Sequence, residues 1–373
     1  MRVLHFYKTS FPDSMGGVEQ VINQIARGAK KLGIETEVLS LTSDWTARTI
    51  EIDGYLTHRA RRDIQIASTG ISLSAFWRFY KLAKKADVIH YHFPWPFMDV
   101  VHFASRVKKP TIVTYHSDII RQKKLLKLYR PLQNMFLASV DRIVATSPNY
   151  LSTSDVLTKF SDKVSVIPIG IDKATYPMPI TDRLQYWREK VGQKFFLFVG
   201  VIRYYKGLHI LVEAAQGTDY PIVIVGAGPI EQELKAQVAQ LGLHNIHFLG
   251  QLTNEDKVAL LTLCYGVLFP SHLRSEAFGI SLLEGAMYGK PMISSEIGTG
   301  TTFINIGDET GLVIPPSNPQ ALRQAMTYLW NHPDEAVKMG RRAEERYWKY
   351  FTADKMVNSY VNLYDDLVNE KLP

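Results

Sequence analysis

Cysteine is all but absent from this chain of 373 residues: Cys264, inside an apolar run, is the single one. A lone cysteine excludes a disulfide framework and most metal sites, and it is compatible with a reducing cytoplasm. No apolar run approaches the ~20 residues needed to span a bilayer. Met1-Arg2-Val3-Leu4-His5-Phe6-Tyr7 is too short for a signal peptide and reads as a first buried strand. No Asp-x-Asp and no His/Cys metal spacing occurs, which argues against a metal-dependent site. A G-x-G-x-x-G fingerprint, internal repeats and low-complexity tracts are missing as well.

What is present is an ordinary globular composition, 46% hydrophobic and 21% charged, at a length that makes two domains the natural expectation. The charge is uneven. Residues 1–167 hold 24 Lys and Arg against 14 Asp and Glu, whereas the remainder holds 19 against 22. Most of the excess lies in Arg59-Ala60-Arg61-Arg62, Lys84-Lys85, Lys108-Lys109 and Arg121-Gln122-Lys123-Lys124. Any one cluster can be a solvated face, but the asymmetry between halves suggests attraction to anionic lipid, phosphate or nucleic acid.

Val3 to Tyr7 forms a β-rich run, Gly16-Gly17 follows in a loop, and Val18, Val21, Ile22, Ile25, Ala26, Ala29 and Leu32 recur at helical spacing. A strand resumes at Thr36 to Leu41, so the chain opens as a βαβ unit. Further strands are expected at Val88 to Tyr91, Thr111 to Tyr115, Arg142 to Thr146 and Val164 to Ile167, with a helix from Ser74 to Lys85. The pattern breaks around Pro168, Gly170, Pro177 and Pro179. A second series begins at Lys194 to Gly200 and continues through Ile222 to Val225, Ile246 to Gly250, Gly266 to Pro270 and Pro291 to Ser294. Helical segments at 207–217, 230–241, 254–264 and 280–288 separate these runs, and 334–370 is helical. Continuous apolar strands alternating with helices imply an α/β fold with two parallel sheets. The expected boundaries are 1–170 for an N-terminal domain, 171–193 for a linker, 194–350 for a C-terminal domain and 351–373 for a last helix.

Two stretches carry candidate chemistry. Glu276 and Glu284 stand eight residues apart across Phe278-Gly279 and the opening of an apolar helix. On one helix they would lie ~12 Å apart along its axis and face away from each other. A helix starting near Gly279 leaves Glu276 in the loop above its N-terminus and Glu284 one turn inside, with unpaired backbone N–H groups between them for an anion. The plain alternative is a solvated loop glutamate and a helix-surface glutamate. In Gly200-Val201-Ile202-Arg203-Tyr204-Tyr205-Lys206-Gly207, two cations precede a glycine and a helix, a pattern that can converge on a diphosphate. His90, His92 and His116 fall at strand ends, where open α/β sheets put their ligands.

Together with Val225-Gly226-Ala227-Gly228-Pro229, Ile167-Pro168-Ile169-Gly170-Ile171-Asp172 and Met15-Gly16-Gly17-Val18-Glu19, these stretches resemble the retaining GT-B glycosyltransferases of family 4. The likeness covers nearly the whole chain in the family's order and is nearest to bacterial mannosyltransferases of O-antigen or capsule assembly. It implies two Rossmann-like domains facing a central cleft, with a nucleotide sugar held mainly by the second and a last helix crossing back to the first. It assigns Arg203 and Lys206 to the leaving diphosphate, Glu276 to the donor sugar, the backbone of Phe278, Gly279 and Ile280 to sugar and phosphate, and Glu284 to the ribose. Gly16 and Gly17 would let backbone approach the phosphates, and His116 would contact the transferred sugar. Two positions depart from the family: Val201 stands where an arginine is usual, and Ile169 where an asparagine is usual.

The resemblance implies a cytoplasmic hexosyltransferase without metal or other cofactor. Its donor would be GDP-mannose and its acceptor a polyprenyl-diphosphate-linked glycan at an anionic membrane surface. Same-face substitution is favoured over a covalent adduct, for which Asp118 is the nearby carboxylate. The alternatives are a sugar-nucleotide epimerase, a non-catalytic nucleotide-sugar binder and a basic nucleic-acid-binding protein. The last has no recognisable motif and no aromatics interleaved with its basic runs.

Overall fold

The computed structural model describes residues 1–370 except 47, 67, 68 and 120–122, and for Lys123 and Lys124 the backbone without side chains. The Arg121-Gln122 half of one basic cluster, and residues 371–373 of the last helix expected from the sequence, therefore lie outside the described residues. The chain forms two compact units, one of residues 1–171 with 353 onward, the other Asp172–Thr352.

The first unit carries β1 (Arg2–Phe6), α1 (Gly17–Lys31), β2 (Glu35–Thr42), β3 (Thr49–Ile52), β4 (Tyr55–Arg61), β5 (Ile64–Ile66), β6 (Thr69–Ile71), α2 (Leu73–Lys85) and β7 (Val88–Phe93). These are followed by α3 (Pro96–Ala104), β8 (Thr111–Tyr115), α4 (Lys123–Ser139), β9 (Arg142–Ala145), α5 (Pro148–Thr153) and β10 (Val164–Val166). The sheet order is β10-β9-β8-β7-β1-β2-β4-β3, parallel except at β3–β4. The exception is an edge hairpin over Asp53-Gly54, both at positive φ (48° and 84°), the backbone that a two-residue hairpin turn requires. Strands β3, β5 and β6 escape the sequence reading because they are three or four residues long and bury little. Chain order reverses between β1 and β7, which makes their C-terminal ends the crevice of this sheet. Both strands are buried on both faces, β7 along its whole length.

The second unit contains α6 (Thr181–Val191), β11 (Phe196–Val199), α7 (Leu208–Ala214), β12 (Ile222–Val225), α8 (Glu231–Gln240), β13 (Ile246–Gly250) and α9 (Asn254–Leu263). It continues with β14 (Gly266–Phe269), α10 (Ile280–Met287), β15 (Met292–Ser295), α11 (Thr301–Ile304), β16 (Gly311–Ile314), α12 (Pro319–Asn331) and α13 (Pro333–Tyr350). Its six parallel strands run β13-β12-β11-β14-β15-β16, with the order reversing between β11 and β14. Phe196, Phe198, Ile222, Ile224, Leu268 and Ile293 pack from the sheet onto Leu211 of α7 and onto Leu322 and Met326 of α12.

Two stretches differ from the sequence reading. Residues 171–193 are not a bare linker, because α6 lies inside them. Trp187 and Val191 of α6 are buried, and the Trp187 indole N–H donates to Asp256 of α9 at 3.0 Å. The helical run expected at 334–370 is two helices, α13 and α14 (Ala353–Glu370), broken at Phe351-Thr352. The aromatic Phe351 is buried against Phe278 and Phe303 in the second unit.

Helix α14 belongs to the first unit. Its Tyr364 hydroxyl pairs with His90 Nδ1 at 2.7 Å, and its Tyr360 hydroxyl pairs with Thr114 at 2.8 Å. Gly28 of α1 admits it closely: a Cβ there would lie 2.5 Å from a methyl of Val357. The N–H of Gly170 points at the Met356 sulfur at 3.3 Å, and Asp172 caps the following turn through Ala174 N at 2.9 Å.

Candidate functional site

At the reversal point of the second sheet, three strand-end loops meet backbone to backbone. Gly200 N donates to Val225 O at 3.0 Å, Ile202 N to Ala227 O at 2.9 Å, and His272 N to Tyr205 O at 3.0 Å. Side chains would prevent this approach. A Cβ at Gly226 would lie 2.0 Å from Gly200 O, one at Gly228 2.1 Å from Ile202 O, and one at Gly207 2.0 Å from Pro270 O. Gly226 also takes a φ of 130°, which side-chain-bearing residues avoid.

The loops hold a buried ion pair. Lys206, from the loop after β11, reaches Glu276, from the loop after β14, and both are nine-tenths buried. Ser271 donates to the same carboxylate at 3.2 Å, and the ammonium stands 4.8 Å over the Phe269 ring. Arg203, three residues before Lys206, is exposed and has no ion pair among the described residues. Val201 is exposed as well. The two cations therefore differ in state: one is sealed on a carboxylate and the other faces solvent.

Gly279 caps α10 in the left-handed region, Phe278 is buried and Ile280 begins the helix half-buried. The Ser281 hydroxyl ties this first turn to Val199 O at 2.7 Å, which fixes the free N–H groups of the helix start against the end of β11. One turn in, Glu284 is buried and its Oε1 takes two donors, Lys257 at 2.7 Å and the Tyr176 hydroxyl at 2.9 Å. Burial and this carboxylate raise the Tyr176 phenol far above its ordinary value and push Tyr288 up to about 12, so both keep their protons.

In the first unit, Gly16 precedes α1, and a Cβ there would fall 2.5 Å from the carboxylate of Glu19, whose other oxygen accepts from Thr9 at 2.6 Å. Gly17 begins the helix. Gly16 thus makes room first for a carboxylate of its own motif. At the sheet crevice, His116 Nε2 lies 3.0 Å from His92 Nδ1, and His92 Nε2 lies 3.0 Å from His5 Nδ1. His90 stacks on His92 at 4.3 Å, with its nitrogens on Tyr364 and Thr114. Burial lowers all four imidazoles: His5 and His116 fall to about 3, the latter helped by Lys8, and His90 and His92 lie well below the usual value.

His5, His90 and His92 bring three ring nitrogens within 4.8 Å of one another, a metal-like grouping that sequence spacing did not reveal. Both His90 nitrogens and the facing nitrogens of His5 and His92 are already spent on hydrogen bonds. Nearby, Asp118 Oδ1 accepts from Tyr115 at 2.9 Å and from Ser154 at 2.7 Å.

Residues 15–175 match the family model Glycosyltransferase Family 4, and residues 182–346 match Glycosyl transferases group 1. The chain belongs to glycosyltransferase family 4. It is 65% identical over 353 residues, 95% of its own length and 93% of the relative's, to D-rhamnosyltransferase WbpZ of Pseudomonas aeruginosa. It is 50% identical over 371 residues, 100% of both chains, to O-antigen chain mannosyltransferase C of Escherichia coli. Sucrose-phosphate synthase of Thermosynechococcus elongatus shares the fold at a TM-score of 0.83 and 20% identity, covering 99% of this chain and 100% of that one. The architecture is GT-B.

Within this glycosyltransferase, Lys206, Glu276, Phe278, Gly279 and Ile280 gather at the second sheet, and Glu284 lies one turn beyond them. His116, Gly16 and Gly17 belong to the first unit. Three participants went unnoticed in the sequence: Lys257, Tyr176 and His5. A signal existed for His5, since β1 pairs with β7 and sets His5 in register with His90. Lys257 and Tyr176 stand 27 and 108 residues from Glu284 and carried none.

Lys206→Met would leave a buried carboxylate without its cation and is expected to cost about 3 kcal/mol of stability. The double variant Lys206→Met with Glu276→Gln should recover most of that loss in a denaturant titration. The histidines predict acid lability. Their folded values lie below that of the unfolded chain, so between pH 6.5 and about 3 the unfolded state binds more protons. Stability is complete above pH 6.5 and falls on acidification by up to ~1.4 kcal/mol per unit for each histidine. Buried Asp99, whose carboxyl is raised by desolvation, acts in the opposite sense and offsets part of this. A melting temperature flat from pH 6.5 to 4 would contradict the assignment of neutral imidazoles.

Proposed function

We propose that this glycosyltransferase moves a manno-configured sugar, D-rhamnose or D-mannose, from a GDP-linked donor onto a polyprenyl-diphosphate-linked O-antigen glycan, with retention and without a metal. What carries the reading is 65% identity across nearly the full length to a D-rhamnosyltransferase, beside 50% to an O-antigen mannosyltransferase. The two sugars differ by a single hydroxyl at C6, so one pocket can be shared between them with small changes.

Cleavage of the sugar–phosphate bond leaves negative charge on the diphosphate, which cations and oriented N–H groups must stabilise. Lys206 and Arg203 supply the cations and the start of α10 supplies the N–H groups. Donor binding exchanges partners: Lys206 passes from Glu276 to the diphosphate, and Glu276 is freed to accept from sugar hydroxyls. Glu284, held by Lys257 and Tyr176 through one oxygen, offers the other to the ribose. Gly16 and Gly17 allow the backbone close to the phosphates, and His116 meets the sugar. Two hydroxyl donors on Asp118 weaken it as a nucleophile and favour same-face substitution, in which the departing phosphate takes the acceptor proton.

The assay is release of GDP from GDP-D-rhamnose or GDP-D-mannose with a lipid-diphosphate glycan present. Acceptor-dependent release is expected, falling roughly a hundredfold when the Lys206 ammonium is lost. Conversion of the donor without any acceptor would instead mark an epimerase.

No described helix is long and apolar enough to cross a membrane. Contact with an anionic leaflet is assigned to α2, which exposes Leu73 (76%) and Trp77 (61%) at a four-residue spacing beside Arg78, Lys81 and Lys84. Exposed Ile64 and Ile66 of the adjoining hairpin extend this surface, which Asp63 ties to α2 through Leu73 N at 2.8 Å. Indoles favour the membrane interface, and each nearby cation adds ~1 kcal/mol of attraction. Trp77→Ala with Lys81→Glu should abolish co-sedimentation with phosphatidylglycerol vesicles and spare transfer to a soluble acceptor. Undiminished sedimentation would remove α2 from the contact.

A further inference from the structure

The histidine chain in the first unit has an end that closes in the core. Each neutral imidazole carries one N–H, and each of the two N···N contacts, 3.0 Å long, needs one hydrogen. Three rings bring three hydrogens, of which two are used within the chain. The third must stand either on His5 Nε2 or on His116 Nδ1.

The two ends are unlike. His5 Nε2 is fully buried and has no hydrogen-bond partner. The neighbouring ring, His90, cannot serve it, because both His90 nitrogens are committed to Tyr364 and Thr114. An N–H buried without an acceptor is among the rarest features of folded proteins, whereas a bare acceptor is tolerated more often. His116, by contrast, keeps 6% of its surface accessible at the edge of the crevice. Neutrality of all three rings is supported by their burial and by the positive charge of Lys8 near His116.

We propose that the closed end at His5 locks the chain in one direction, so that His92 donates to His116 Nε2 and His116 presents Nδ1–H to the donor sugar. His5 and His92 are then positioning residues, and His116 is a hydrogen-bond donor rather than a base. The inference rests on the reading above that His116 meets the sugar. It adds what His116 offers and what fixes it.

The test is the tautomer of His116, read from two-bond nitrogen–carbon correlations in a ¹⁵N-labelled full-length protein near pH 7.5, with the resonance assigned by its loss in His116→Gln. The lock requires the hydrogen on Nδ1. His5→Phe keeps the end closed and should leave it there. His5→Asn offers His92 an acceptor as readily as a donor, so both tautomers should appear at His116. In His5→Asn, kcat/KM for the donor should then drop in proportion to the wrong form, about twofold for an even mixture. A hydrogen on Nε2 in the unmodified protein, or one tautomer pattern shared by both His5 variants, overturns the lock. If His116→Gln transfers sugar normally while the Nδ1–H form is observed, the lock stands and the placement of the sugar fails.

Discussion

A lysine and a glutamate from two different strand-end loops neutralise each other at the reversal point of the second sheet, and most of the surrounding geometry serves that contact. Two charges so far removed from water are tolerable only as a pair. Holding them in register demands that the loops after β11, β12 and β14 lie at backbone distance, which is why glycine occupies 207, 226 and 228. The same closeness brings the first turn of α10 against β11 through Ser281. Charge, backbone donors and carboxylate are thus brought to one place by the fold itself.

The first unit solves a different problem. Four imidazoles are packed into the core of a parallel sheet, where an uncompensated polar atom is costly. Most of their nitrogens are satisfied by one another and by the hydroxyls of Tyr364 and Thr114, the latter paired in turn with Tyr360. The polar core therefore depends on a helix distant in sequence, and α14 is a structural part of this unit rather than a tail.

Much of this was legible in the residues. Long apolar runs gave away the central strands, because strands covered on both faces have no polar alternation to confuse them. Strands β3, β5, β6 and β16 were invisible, being only three or four residues each. Helix α6 hid behind Pro177 and Pro179, its apolar stripe reduced to Leu184, Trp187 and Val191. At the site, spacing pointed to Glu276, Glu284 and Lys206, and a strand-end position to His116, as groups of interest. It could not show that Lys206 and Glu276 face each other, nor that Glu284 already has two donors. Such partnerships are made by which helix meets which, and periodicity reports a face without naming what covers it.

The route of the chain has a consequence for how the protein is made. It leaves the first unit at Ile171, builds the whole of the second, and returns at Ala353. His90 and its partner Tyr364 are separated by 274 residues. At roughly 5–20 residues per second of synthesis, the ribosome needs on the order of 15–55 s to deliver that partner. By the end of this interval the second unit has all its residues and can close, while the earlier-made sheet still waits with a bare apolar face and an unspent nitrogen on His90. The amino-terminal half is thus the last to finish, and a chain ending at residue 352 would carry an open, sticky first unit and a complete second one.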